Sequence, residues 1–168
     1  DCHGHTKWID KDEFLGDSEK RPLHLVSNQP KTRLHSQMDH GITSRNAKIK
    51  GREPMRMNPA DAHQRDIAEG DVVRIFNDRG ACLAGVLFTD TIRTGVIELP
   101  TGAWYEPLDY SDPDSLEVHG NPNVLTRDVG TSKLGQGPTA HSCLVEVELF
   151  TQPLPEIRSF RQPKLVRD

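Results

Sequence analysis

Residues 27–37, SNQPKTRLHSQ, crowd a serine, three amides, a guanidinium, an imidazole and a second serine into one short stretch. A loop that only turns a corner needs Gly, Asn or Asp. This one offers Arg33, His35, Ser36 and Gln37 within five positions. Such an inventory suits a ligand rich in phosphate and ring nitrogens. Two further stretches are of the same kind: NPNVLTRDVGTSKLGQG (121–137) and TAHS (139–142). Asn28, Gln29 and Asn123 can each donate and accept, which matches the edges of purines and pterins. The fork of Arg33 matches a diphosphate. A ligand of two flat heterocycles joined by pyrophosphate would use both kinds of group.

Other chemistries fit less well. Cys2, His3 and His5 lie close together, but a zinc site wants four ligands and no second pair is in sight. Cys82 and Cys143 sit in apolar runs and read as small buried hydrophobes. Three cysteines imply no disulfide framework. Ser36 beside His35 lacks the strained G-x-S-x-G elbow of a nucleophile and reads as a hydrogen-bonding loop residue. The glycines of GTSKLGQG (130–137) can let backbone N–H groups approach an anion, yet the phosphate-loop order G-x-x-x-x-G-K-[ST] is missing, so an ordinary turn is the default. No catalytic residue and no metal ligand is assigned.

The totals bound the answer further. The chain has 168 residues, one domain's worth, with a formal net charge of −4. General attraction to nucleic acid is not expected, and no apolar run reaches membrane-spanning length. From Lys31 to Met57, seven basic residues (Lys31, Arg33, Arg45, Lys48, Lys50, Arg52, Arg56) face only Asp39 and Glu53. A basic surface patch for an anionic ligand or partner is one reading of that imbalance, and an ordinary solvated surface is the other.

The elements that must position these groups are short. Asp10 and Glu13 have capping-box spacing and predict a short helix through Leu15, stopped by Gly16. PLHLVS (22–27) reads as a strand. Residues 30–53 read as irregular, apart from a strand at 47–50. Asn58 followed by Pro59 and Asp61 predicts a helix running towards Gly70. Residues 72–88 read as a hairpin about the turn NDRG, GVIELP as another strand, and SCLVEVELF (142–150) as the last one. Residues 106–122 read as a surface loop and the proline-rich tail as a wrap outside the core. Many short strands with one strong helix signal favour a mainly β fold, a barrel with short helical insertions. Its long polar loops are the places to look for function.

PLHLVSNQPKTRLHSQ, EPMRMNPADAHQRDIAEGDVVRIFNDRG, GVIELPTGAWYEP and GNPNVLTRDVGTSKLGQG, in this order, resemble the C-terminal domain of the dimethyl sulfoxide reductase family of molybdenum enzymes. The likeness is strongest to the biotin sulfoxide and trimethylamine N-oxide reductases and runs from about residue 1 to residue 150. It implies a double-psi β-barrel that closes over bis(molybdopterin guanine dinucleotide)molybdenum, a cofactor held mostly by upstream domains. It implies cofactor contacts from Ser27, Asn28, Gln29 and Pro30, from Arg33, His35 and Ser36, and from Asn123, Ala140 and His141. Many relatives carry His where this chain has Gln29, and an amide cannot titrate near neutral pH.

The organisation that follows is an N-terminal docking segment (1–20), a cofactor-binding barrel (21–150) and a C-terminal tail (151–168). The partners implied are the upstream domains of the same polypeptide and a small S-oxide or N-oxide, reduced by oxygen-atom transfer. The family's molybdenum-ligating side chain lies upstream, so this stretch alone is expected to have no reductase activity. Compartment stays open, with a tilt to the cytoplasm. Two rivals are a stand-alone barrel that binds an anionic partner as an adaptor, and a small hydrolase or decarboxylase on a related barrel. The second needs a self-contained catalytic constellation, and none can be assembled.

Overall fold

In the computed structural model, which describes residues 3–16 and 18–162, six strands alternate with very short helices: β1 (Leu23–Val26), α1 (Ile42–Ala47), β2 (Pro54–Met57), α2 (Pro59–His63), β3 (Val72–Phe76), β4 (Ala81–Phe88), β5 (Val96–Glu98) and β6 (Leu144–Leu149). The strands close into a barrel in the order β1-β5-β2-β4-β3-β6. Two pairs are parallel, β1 with β5 and β2 with β4; the other four are antiparallel. Parallel neighbours need crossing connections, and this mainly β, crossed six-stranded barrel is of the double-psi type.

Each strand turns alternate residues inward. Leu25, Met55, Met57, Ile75, Ile97 and Val145 meet in one fully buried core, with Cys82 and Cys143 among them as free thiols. A second cluster of Val72, Leu83 and Val118 lies under Leu116, Phe150 and Ile157. Pair directions decide what the barrel ends hold. The loops leaving β1, β3 and β5 and those entering β2, β4 and β6 all emerge at one end. The three polar stretches 27–37, 121–137 and 139–142 all lie in connections at that end.

Several sequence expectations change. No helix forms at 10–15, because both capping side chains are taken. Asp10 accepts from the Trp8 indole at 2.8 Å, and Glu13 pairs with Arg79 and accepts the Leu144 N–H. Residues 42–47 form α1 instead of irregular chain, and Ile49 makes only an isolated bridge to Arg52 rather than a strand. Six residues are too few to show a helical period. Helix α2 keeps its expected cap, the Asn58 side chain accepting from Ala60 N–H, but it stops well before Gly70. The chain turns left-handed at Asp66, and Ile67 N–H reaches back to the Ala62 carbonyl.

Residues 106–122 are not simply a surface loop. The Asp-rich tip is exposed, but Glu106, Glu117 and His119 are fully buried. Buried carboxylates are tolerable only when satisfied. Glu117 accepts four backbone N–H groups, from Glu106, His119, Gly120 and Asn121. Glu106 takes Arg158 at 2.8 Å and Ser159 at 2.6 Å from the C-terminal tail. The basic run is no single patch either: Arg33, Lys48 and Arg52 are turned inward.

Candidate functional site

The loop leaving β1 begins with Ser27 and Asn28, half-buried, and closes on itself through Gln29 and His35. The Gln29 amide oxygen accepts the His35 N–H at 3.0 Å, and its amide nitrogen lies 2.7 Å from His35 Nδ1. An amide nitrogen only donates, so Nδ1 is the acceptor in this contact. His35 and Met38 both have positive φ, 50° and 60°. Left-handed backbone in non-glycine residues costs about 1–3 kcal/mol and is held only where surroundings over-determine it. Here the surroundings are residues 101–104. Gly102, at φ +92°, lies so close that a Cβ would sit 2.0 Å from the His35 carbonyl oxygen. Trp104 Nε1 donates to the Ser36 carbonyl at 2.8 Å, and Thr101 N–H donates to the Asn28 carbonyl at 2.9 Å.

Arg33 is not free to grip a diphosphate. Its side chain is 1% exposed. Nη1 donates to Ser44 Oγ at 3.2 Å and to Glu53 at 3.1 Å, Nη2 to the Thr101 carbonyl at 3.0 Å, and Nε to the His35 carbonyl at 3.1 Å. Lys48 completes the network, 3.0 Å from Asp39 and 2.8 Å from Glu53. Two cations and two carboxylates thus neutralise one another beneath the loop, and direct cofactor contact by Arg33 gives way to positioning of the His35 backbone. Against burial, Lys48 and the hydrogen bonds from Trp104 N–H and Ser44 hold the Asp39 carboxyl below its usual range.

The other candidates reach the same barrel end from different elements. Asn123 is exposed on a 3-10 turn (Pro122–Val124) whose start is tied down by Asn121, donating to the Ala103 carbonyl at 2.9 Å. Ala140, half-buried, and His141, exposed, come just before β6. The antiparallel register of β1 with β6 (Leu23↔Val145, His24↔Leu144) continues to Leu25 N–H on the Cys143 carbonyl, and the chain before it turns over residues 139–142. The glycine loop at 130–137 spends its donors on itself, Thr131 N–H on Gly137 O and Gly135 N–H on Ser132 Oγ, so it forms a turn and no anion cradle.

The common strut is TGAW, residues 101–104. It touches the loops carrying Asn28, Arg33, His35, Ser36 and Asn121, and sequence reasoning passed over it. Its signal was there in Gly102, a glycine between a strand end and a tryptophan. His119 buttresses the strut, with Nδ1 donating to the Trp104 carbonyl at 2.8 Å. Its Nε2 is buried without a partner, and burial, with Lys48 nearby, depresses the imidazole to about 4. Burial pushes Glu117 the other way, up to about 7, against its four N–H donors.

Beside the first loop lies a cleft of about 150 Å³ lined by Asn28, Pro30, Lys31, Thr32, Arg56 and Glu98, among others. Asn28 Oδ1 is buried with no hydrogen-bond partner among the described residues. An unsatisfied buried acceptor costs about 1–3 kcal/mol. Lys31 and Arg56 in this lining suit anionic oxygens of a ligand.

Residues 23–144 match the family described as the molydopterin dinucleotide binding domain. The chain is 49% identical over 148 residues to the biotin sulfoxide reductase of Cereibacter sphaeroides, covering 88% of this chain and 20% of that protein. It is 44% identical over 165 residues to the dimethyl sulfoxide/trimethylamine N-oxide reductase of Rhodobacter capsulatus, covering 98% and 20%. It thus spans about one fifth of the length of these relatives. Among solved structures, the acetylene hydratase of Pelobacter acetylenicus superposes with a TM-score of 0.61 at 15% identity, over 77% of this chain and 18% of that one, which shows a shared fold. The chain belongs to the molydopterin dinucleotide binding domain family.

Proposed function

We propose that this chain is the cofactor-capping domain of a molybdenum oxidoreductase that reduces S-oxides or N-oxides, of the biotin sulfoxide, dimethyl sulfoxide or trimethylamine N-oxide type. One observation carries the reading. Loops that are remote in sequence, 27–36, 121–123 and 140–141, all lie in connections at one barrel end. The bound bis(molybdopterin guanine dinucleotide)molybdenum supplies the redox and oxygen-transfer chemistry. This chain's part is to bind and orient. Ser27, Asn28, Gln29 and Pro30 shape the wall; His35, steadied by Gln29, presents its ring; Asn123, Ala140 and His141 close the far side. Arg33 holds the loop from beneath.

Upstream domains of the same polypeptide hold most of the cofactor in this reading, with residues 1–20 as a docking segment and 151–168 as a tail. The adaptor reading has lost its basis, since three of the seven basic residues it relied on lie inside the protein. The test is to purify the complete protein containing this domain, replace residues 27–30 by Gly-Ser-Gly-Ser, and quantify molybdenum and acid-released guanine nucleotide. The reading expects both to fall together with sulfoxide reduction. Full retention of both would remove this barrel end from the cofactor site. The 168-residue chain alone is expected to reduce neither biotin sulfoxide nor trimethylamine N-oxide.

A further inference from the structure

A cleft of about 420 Å³ opens where the C-terminal segment crosses the end of α1. That volume falls in the usual range of small-ligand sites, ~300–1,000 Å³. One wall carries Arg45, Lys48 and Gly51, and the other carries Ile157, Phe160 and Arg161. None of these is among the residues assigned to the cofactor above. The walls meet at the turn Ile49–Arg52, where a Cβ on Gly51 would lie 3.3 Å from Ile157 Cγ1.

Positive charge is in excess here, although the chain as a whole carries −4. Lys48 shares Asp39 and Glu53 with Arg33, and Arg161 has Glu156. Arg52, Lys50 and Arg45 are left over. Arg52 is 3% exposed and has no ion pair among the described residues. Its two terminal nitrogens donate to the carbonyls of Lys50 and Pro155, and its Nε is buried with no partner among the described residues. Those carbonyls come just before Gly51 and Glu156, which both line the cleft, so the guanidinium bolts the two walls together from behind. Glu117 acts on Arg52 across the interior, but it already serves four backbone N–H groups. Lys50, beside Gly51, is exposed with no ion pair among the described residues.

Arg45 is the unpaired cation in the lining itself. It is exposed, and its guanidinium makes no hydrogen bond or ion pair among the described residues. Its Cζ stands 5.7 Å from the centre of the Phe160 ring. Cation–π attraction at that range holds a guanidinium without using up its N–H fork. The ring is fixed in turn by His119, edge-on at 5.0 Å, and by Trp104 at 5.7 Å. A fork aimed before its ligand arrives gives up less entropy on binding. Carboxylates and phosphates are the acceptors that match such a fork. Phe160 and Ile157 offer the apolar surface beside it.

We propose that this cleft is a binding site for a small organic anion, with a carboxylate or phosphate head on the Arg45 fork and an apolar body against Phe160 and Ile157. The site is separate from the cofactor function proposed above and stands without it. Its test uses the isotope-labelled 168-residue chain, whose closed barrel supplies its own core. The chain is titrated at constant ionic strength with phenyl phosphate, benzoate, inorganic phosphate, benzyl alcohol and benzylammonium, each separately. NMR follows the Arg45 Nε–H and the Trp104 indole N–H. Saturable shifts with phenyl phosphate, with benzoate or with both, and not with benzyl alcohol or benzylammonium, support the site, and the pattern tells which head group it takes. Inorganic phosphate, a head without a body, should bind more weakly than the responding anion.

Arg45→Gln should weaken the responding anion by at least about tenfold, because a charge-assisted pair is lost. Arg93→Gln makes the same charge change at an exposed arginine outside the cleft and should leave the affinity unchanged. Barrel signals should stay in place in both variants. The proposal is overturned if the neutral or cationic compound moves the reporter signals equally, if no anion moves them, if inorganic phosphate binds as tightly as the responding anion, or if the two variants weaken binding alike. It also falls if Arg45→Gln lowers the guanine nucleotide content of the complete protein, since the cleft would then be part of the cofactor site.

Discussion

A guanidinium with every nitrogen bonded inside the protein responds to mutation differently from one that grips a ligand. Arg33→Ala strips one cation from the cluster with Lys48, Asp39 and Glu53. Breaking a buried pair costs about 3–5 kcal/mol, because it leaves a buried charge uncompensated. We expect Arg33→Ala to lower the unfolding free energy of the chain, read from urea titration, by that order with no ligand present, and Arg33→Lys to restore little, since an ammonium cannot reproduce the fork to Ser44, Glu53 and Thr101. A wild-type urea midpoint in Arg33→Ala would contradict the positioning role.

His119 makes a second prediction at this scale. Its folded value is depressed to about 4 from an ordinary 6.5. The neutral ring is the form that fits, so its stabilisation is complete above pH 6.5 and is lost as pH falls through about 4. At 1.36 kcal/mol per unit that loss is about 3 kcal/mol. Glu117 runs oppositely, its contribution complete below 4.5 and lost as pH rises through about 7. Comparing wild type with His119→Gln cancels the Glu117 part: urea midpoints at pH 7 and pH 4 should fall further in wild type than in the variant.

At the scale of elements, the site depends on one strut meeting one loop. Gly102 combines φ +92° with a contact in which a Cβ would lie 2.0 Å from the backbone of His35. Gly102→Ala must therefore push residues 33–36 away and strain its own backbone. The expected result is a lower melting temperature, with faster hydrogen exchange at the Trp104 indole as its bond to the Ser36 carbonyl loosens. The barrel strands should keep their protection, because their pairing does not pass through 101–104. Unchanged exchange at the indole would mean that strut and loop are independent. The same contact explains why His35 holds a positive φ in a loop with no glycine between 17 and 40.

At the scale of the molecule, the C-terminal segment completes the fold rather than trailing from it. Ile157 packs on the second cluster, Phe160 lies edge-on to His119 at 5.0 Å, and Arg158 with Ser159 satisfies the buried Glu106. Ending the chain at residue 150 should cost about 2–4 kcal/mol, from two half-buried apolar side chains at about 1–2 kcal/mol each, and more where Glu106 loses its partners. Glu106→Gln should recover part of the loss in the shortened chain while destabilising the full one, a reversal of sign that equilibrium unfolding can read. If both chains respond alike, the tail does not satisfy Glu106.

Local signals determined much of this protein: five of the six strand segments, all but β2 (Pro54–Met57), the Asn58 cap, the hairpin about NDRG, and the polar stretches later found at one barrel end. Each depends on neighbours a few residues away, through side-chain alternation, capping and turn chemistry. What only the tertiary structure decided are the partners of charges and the faces of loops. Arg33 and a ligand-gripping arginine look the same in a sequence, because Glu53 and the Thr101 carbonyl that occupy its fork lie 20 and 68 residues away. Glu106 and Glu117 read as surface for the same reason. A charge's cost is set by the groups around it in space, and the crossed connections of this barrel bring those groups together from across the chain.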